Sequence, residues 1–106
     1  MPERWVAVGS ARDLPPGTVR IAQVGGTSLA LCNVDGQVYA VQNLCTHDNG
    51  PLGEGELFGY ALECPRHGAR FDVRTGAVLA LPAVRPLRVF KTRLRGDTIE
   101  VALPEG

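Results

Sequence analysis

The 106-residue chain has no net charge, because eleven Lys and Arg stand against eleven Asp and Glu. Without a basic excess it offers no electrostatic footprint for nucleic acid or an anionic membrane, and no acidic tail suggests disorder. Long apolar runs are also missing. No stretch is long enough to span a bilayer, and the N-terminal MPERWVAVGSARDLPPG lacks a signal-peptide pattern, so the cytoplasm is the expected compartment. Cysteine is scarce and odd in number: three residues make a poor disulfide framework. In a reducing compartment, cysteines that recur in loops are better read as ligands. Histidine is scarcer still, with two residues. Helical periodicity is hard to find anywhere.

What remains is alternation and β-branched residues. The length fits a single domain over residues 1–106, and 44% hydrophobic with 21% charged content is ordinary for a globular protein. TVRIAQV (18–24), TSLALCNV (27–34) and QVYAVQN (37–43) read as strands, the last two joined at Asp35–Gly36, a pair suited to a tight hairpin. FGYALEC (58–64), ARFDV (69–73) and AVLAL (77–81) read as shorter strands. PLRVFKTRL (86–94) and TIEVAL (98–103) form a closing hairpin in which Ile99, Val101 and Leu103 share one face. The spacing predicts an all-β sandwich or small barrel of roughly eight to ten strands.

One stretch breaks the pattern. NLCTHDNGPLGEGEL (43–57) is rich in Gly and polar residues and is read as a long loop, which in a small domain is usually functional. It carries Cys45 and His47 as C-x-H. Sixteen residues further on, ECPRHGARFD (63–72) carries Cys64 and His67 as C-x2-H. Both histidines of the chain are thus paired with a cysteine in a turn-rich loop. A lone zinc ion would accept two thiolates and two imidazoles tetrahedrally. Zinc knuckles, however, usually pair like with like, whereas each half here is mixed. Mixed halves suit a binuclear centre in which one iron takes the cysteines and the other the histidines. A zinc-bound structural module stays open as the alternative.

CTH…CPRHG resembles the Rieske signature, and CPRHGARFDVRTGAV is similar to the second cluster loop of soluble Rieske-type ferredoxins. The resemblance implies an antiparallel β-sandwich with a small cluster-binding part, about 43–86, built on two loops. It implies one [2Fe–2S] cluster, with Cys45 and Cys64 on the inner iron and His47 and His67 on the outer one. ALPAVRPL (80–87) resembles the proline-containing loop that covers the cluster. High-potential members carry an extra disulfide between the loops, where this chain has Gly50 and Arg66. They also carry a Ser and a Tyr where it has Ala69 and Phe71. A low-potential centre is therefore implied.

The family implies a monomeric, non-catalytic ferredoxin that passes electrons from a flavin-dependent reductase to the terminal oxygenase of a ring-hydroxylating dioxygenase system. A Rieske-like small subunit of a larger reductase, such as nitrite reductase, is the alternative. The docking face would involve Asp48, Asn49, Pro51, Leu52 and Pro82, with Leu52 exposed at a loop tip. Cys32, inside a strand, reads as a buried small hydrophobe. Asp72, Thr75 and Gly76 read as turn builders, the arginines 66, 70, 74, 85 and 88 as a solvated face, and Glu54 and Glu56 as solvent-facing.

Overall fold

The computed structural model describes residues 3–46, 50–66, 68–81 and 85–104. Eleven strands run through them: β1 Glu3–Ser10, β2 Val19–Val24, β3 Thr27–Val34, β4 Gln37–Gln42, β5 Glu56–Phe58, β6 Ala61–Glu63, β7 Arg70–Asp72, β8 Val78–Ala80, β9 Val89–Phe90, β10 Thr92–Arg95 and β11 Thr98–Pro104. They form three sheets of order β1-β11-β10, β2-β3-β4-β9 and β5-β6-β7-β8, and every described pairing is antiparallel. The all-β expectation holds.

β3 explains how the layers stack. TSLALCNV is apolar without a polar face, which suits a strand covered on both sides. Leu29 and Leu31 belong to one core with Leu14, Val38, Phe90, Ile99 and Val101, between the first and second sheets. Ala30, Cys32 and Val34 belong to a second core with Val41, Leu62, Phe71 and Val73, toward the third sheet. The period of two in a strand sends alternate side chains into different cores. The third sheet lies within a segment inserted between β4 and β9, so the long loop and its partner are carried on the second core.

The Asp35–Gly36 turn behaves as read, with φ of 53° and 93° at its two residues. Other expectations need correction. FGYALEC is not one strand: the chain turns at Gly59 (φ 61°) and Tyr60, and β5 pairs back on β6. PLRVFKTRL is broken at Lys91, because β9 joins β4 in the second sheet while β10 joins β11 in the first. β1 was not foreseen at all. From Trp5 on it alternates between exposed and half-buried, with Val6 and Val8 against the first core, but WVAV is apolar at four successive positions, so the sequence does not display that alternation.

Candidate metal centre

The two motif loops close in the same way. The Cys45 N–H donates to the Gly50 carbonyl over 2.8 Å, and the Cys64 N–H donates to the Ala69 carbonyl over 2.7 Å. Each cysteine therefore begins a loop sealed by a bond to the fifth residue after it. In the second loop the Gly68 N–H also returns to the Cys64 carbonyl over 3.2 Å, and Gly68 supplies the positive φ of 75° that this turn needs. His47 and His67 fall, in sequence, inside these two loops but lie outside the described residues, as do Asp48, Asn49 and Pro82.

Both thiols are buried. Cys45 and Cys64 are at most 1% exposed, are not in disulfides, and share one core with Leu52, Leu62, Ala69 and Phe71. The structure thus brings the two cysteines into one apolar setting from sites nineteen positions apart in the chain. Unbridged buried thiols begging a soft metal fit an iron–sulfur cluster, and the apolar wall suits a group whose oxidised form carries little net charge. Gly50 and Arg66, the positions to which the resemblance assigns the interloop disulfide of high-potential members, carry no sulfur. Ala69 and Phe71, both fully buried, present no hydroxyl to this core.

The first loop is fixed from below. Asn43 donates its backbone N–H to the Ser28 carbonyl (3.0 Å), its side-chain amide donates to the Ser28 hydroxyl (3.0 Å), and its side-chain oxygen accepts from the Gly53 N–H (2.6 Å). A short 3₁₀ turn, Leu52–Glu54, then folds back under the loop. It overturns one expectation: Leu52 is not exposed at a tip but fully buried beside the cysteines. A polar-looking loop still needs an apolar plug to hold it on the sheet, and Leu52 is that plug. Glu54 and Glu56 face solvent as expected.

A clasp that sequence reading missed joins the first loop to the segment after β8. The Thr46 hydroxyl donates to the Arg85 carbonyl (2.7 Å), and the Arg85 guanidinium donates to the Thr46 carbonyl (3.3 Å). Leu44 and Leu81 flank this region at 43% and 77% exposure and offer an apolar rim that the sequence reading passed over. An unalternated Leu on each side of a Gly/Pro-rich loop was the available signal.

The arginines are not simply a solvated face. Arg70 pairs with Glu63 (2.8 Å) and lies over Phe58, so its charge is neutralised locally. Arg74 pairs with Asp72 (2.8 Å) and lies 3.8 Å over Tyr60, which in turn meets Tyr39 of β4 edge-on. That chain of contacts ties the third sheet to the second. The arginine holds the Asp72 carboxyl below the usual carboxylate range, chiefly through its side-chain hydrogen bond. Burial pushes the Cys32 thiol up to about 12, so it stays neutral, as expected of a core residue rather than a ligand.

Comparison with known proteins agrees with this geometry. Residues 4–91 match the Rieske [2Fe–2S] domain. The ferredoxin component of biphenyl 2,3-dioxygenase from Rhodococcus jostii is 42% identical over 97 residues, covering 92% of this chain and 91% of that protein. The ferredoxin component of a naphthalene 1,2-dioxygenase system from Pseudomonas aeruginosa is 36% identical over 103 residues, covering 97% and 99%. A chain in a solved complex of reduced oxygenase and oxidised ferredoxin of carbazole 1,9a-dioxygenase superposes with a TM-score of 0.86 at 40% identity, covering 92% of each chain. A nitrite reductase small subunit from Mycobacterium tuberculosis, at 23% identity and TM-score 0.87, shares the fold alone. With matched cysteine loops on a three-sheet antiparallel frame, and with these relatives spanning nearly its whole length, the chain belongs to the Rieske [2Fe–2S] domain family.

Proposed function

We propose that this protein is a one-electron carrier, the ferredoxin of a ring-hydroxylating dioxygenase system, which takes electrons from a flavin reductase and hands them to a terminal oxygenase. The observation that carries this reading is the pair of loops with identical closure, each opening on a cysteine buried in the same core. Cys45 and Cys64 would hold the inner iron, His47 and His67 the outer one, and residues 43–86 would form the cluster-binding part. The relatives named as ferredoxin components, and the oxygenase complex of one ferredoxin, support the choice of partners. The chain's part is to hold and tune the group, with no catalysis of its own.

When bound, a Rieske cluster supplies the gain and loss of a single electron, at potentials of roughly −150 to +300 mV across the family. The residues present argue for the lower end. Ala69 and Phe71 give the core no hydroxyl donor to stabilise added negative charge. Of the two cations that could raise the potential, Arg66 and Arg70, the latter is paired with Glu63.

Iron and acid-labile sulfide analysis tests the reading directly, with two of each expected per chain. The dithionite-reduced protein should give a rhombic EPR signal with a lowered average g, whereas bound zinc would be silent. His47→Cys or His67→Cys should lower the potential or lose the cluster. A colourless protein that contains zinc after anaerobic iron–sulfide reconstitution would overturn the proposal.

A further inference from the structure

A cleft beside the β2–β3 hairpin carries two arginines that face no carboxylate among the described residues. It has a volume of about 450 Å³ and runs between the β2–β3 hairpin at Gly25–Gly26, Arg4 of β1, Arg88 beside β9, and the end of β11. A second cavity of about 380 Å³ shares Gly26, Thr27, Arg88 and Phe90 with it and continues to Leu44, the residue before Cys45. Together they form one channel that starts at the first motif loop and ends at Arg4.

The charge balance along this channel is one-sided. Elsewhere among the described residues, Arg12, Arg70, Arg74, Lys91, Arg93 and Arg95 each face a carboxylate within 4 Å, while Arg20 and Arg85 donate to backbone carbonyls. Arg4 and Arg88 face none, and no carboxylate lines either cavity among the described residues. Arg88 is also held in place. Its backbone N–H donates to the Gln42 side chain over 2.7 Å, and its guanidinium lies 4.8 Å over the Phe90 ring. A stacked guanidinium keeps its N–H edge free for a carboxylate.

We infer that this channel is a docking site for an acidic segment of the terminal oxygenase, seated as that protein covers the motif loop at Leu44. The inference rests on the carrier role proposed above, and its occupant is chosen by charge complementarity and by continuity with the loop that carries Cys45. Electrostatic matching of this kind acts mainly on encounter rate and orientation.

The test uses the cluster-loaded protein and two probes: a blocked hexaglutamate peptide and the terminal oxygenase of the carbazole system. With ¹⁵N-labelled protein at low ionic strength, the peptide should shift the amide signals of Gly25, Gly26 and Thr27 saturably. Arg4→Gln with Arg88→Gln should weaken that binding roughly two- to thirty-fold, the range expected for two exposed ion pairs. Arg20→Gln, an exposed arginine outside the channel, should not. The double variant should also slow electron transfer to the oxygenase and flatten its dependence on salt, with an unchanged EPR spectrum.

Equal weakening by Arg20→Gln, shifts centred elsewhere, or unaltered oxygenase kinetics in the double variant would overturn the inference. A loss confined to reduction by a flavin reductase would overturn it as well, by assigning the channel to the other partner. Peptide binding does not depend on the metal, so a protein that held zinc would sink the carrier role without mimicking any of these results.

Discussion

Thr46 and Arg85, thirty-nine residues apart, are bonded to each other twice, hydroxyl to carbonyl at 2.7 Å and guanidinium to carbonyl at 3.3 Å. The two bonds hold the segment after β8 against the loop that carries Cys45. Thr46→Val keeps the shape of the side chain and removes its donor. The bond lies at the surface, so stability should fall by only about 1 kcal/mol. The sharper effect should be on access to the centre, with visible absorbance in air bleaching several-fold faster than in the wild type. Unchanged bleaching with an unchanged melting temperature would show that the clasp does not guard the site.

Gly76 supports the same region from the other side. Its φ is 80°, its N–H donates to the Asp72 carbonyl over 2.7 Å, and its carbonyl accepts from the Leu87 N–H over 2.8 Å. A Cβ there would overlap the Leu87 carbonyl. Gly96 has a similar φ of 59° but open space around it. Gly76→Ala should therefore cost about 3 kcal/mol or more, and Gly96→Ala about 1 kcal/mol, as backbone strain alone. Urea denaturation of the two variants side by side checks the difference, and equal midpoints would contradict it.

The contrast between those glycines shows what was readable from sequence and what was not. The hairpin at Asp35–Gly36 needs only local φ preferences, so the dipeptide announces it. The cysteine loops are equally local, and their Cys–His spacing marks them without any knowledge of tertiary structure. Leu52, by contrast, was placed on the docking face at the tip of the first motif loop. Its burial follows from the sheet below it, which no window of sequence contains. The split of 86–94 at Lys91 has a similar origin, since β9 and β10 take partners in different sheets. Arg70 and Arg74 could be counted in the sequence, but their pairing with Glu63 and Asp72 depends on the β6–β7 register and the following turn.

Cys32 shares a core with Cys45 and Cys64, so the ligand assignment needs a discriminating substitution. Its thiol is pushed up to about 12 by burial, which makes it a poor thiolate donor. Cys32→Ala should keep the full iron and sulfide content and lose about 1 kcal/mol through the small void left behind. Cys45→Ser and Cys64→Ser should each lose the cluster. Loss of iron in Cys32→Ala, with its circular dichroism intact, would place Cys32 among the ligands.

Asp72 sets an acid limb on stability. Arg74 bonds both carboxylate oxygens, at 2.8 and 3.1 Å, and the Arg74 backbone N–H adds a third bond at 2.8 Å. These bonds depress the carboxyl in the folded state, so the folded form binds its proton less readily than the unfolded one. The contribution is present above the unfolded value, about 3.9, and is lost as pH falls below it through the lower folded value. Asp72→Asn should be less stable than the wild type at pH 7, and the gap between them should narrow from pH 4 toward pH 2. Parallel urea midpoints across that range would show that the pair contributes nothing.

Phe71 is the position where one added oxygen separates tuning from packing. Its ring is fully buried in the core shared by Cys45 and Cys64, on the strand that follows the second loop. Phe71→Tyr adds a hydroxyl whose donor, buried there, must find an acceptor or cost about 1–3 kcal/mol unmet. Under the proposed ligand assignment the Cys45 and Cys64 sulfurs would be the electron-rich acceptors of that core, and a hydrogen bond to them would strengthen on reduction. The potential should therefore move positive, while Phe71→Leu, which enlarges the void without a donor, should destabilise the protein and leave the potential near its starting value. Protein-film voltammetry of both variants, with thermal melts alongside, separates the two effects. A tyrosine variant that melts lower without any positive shift would mean that the missing hydroxyl does not set the potential.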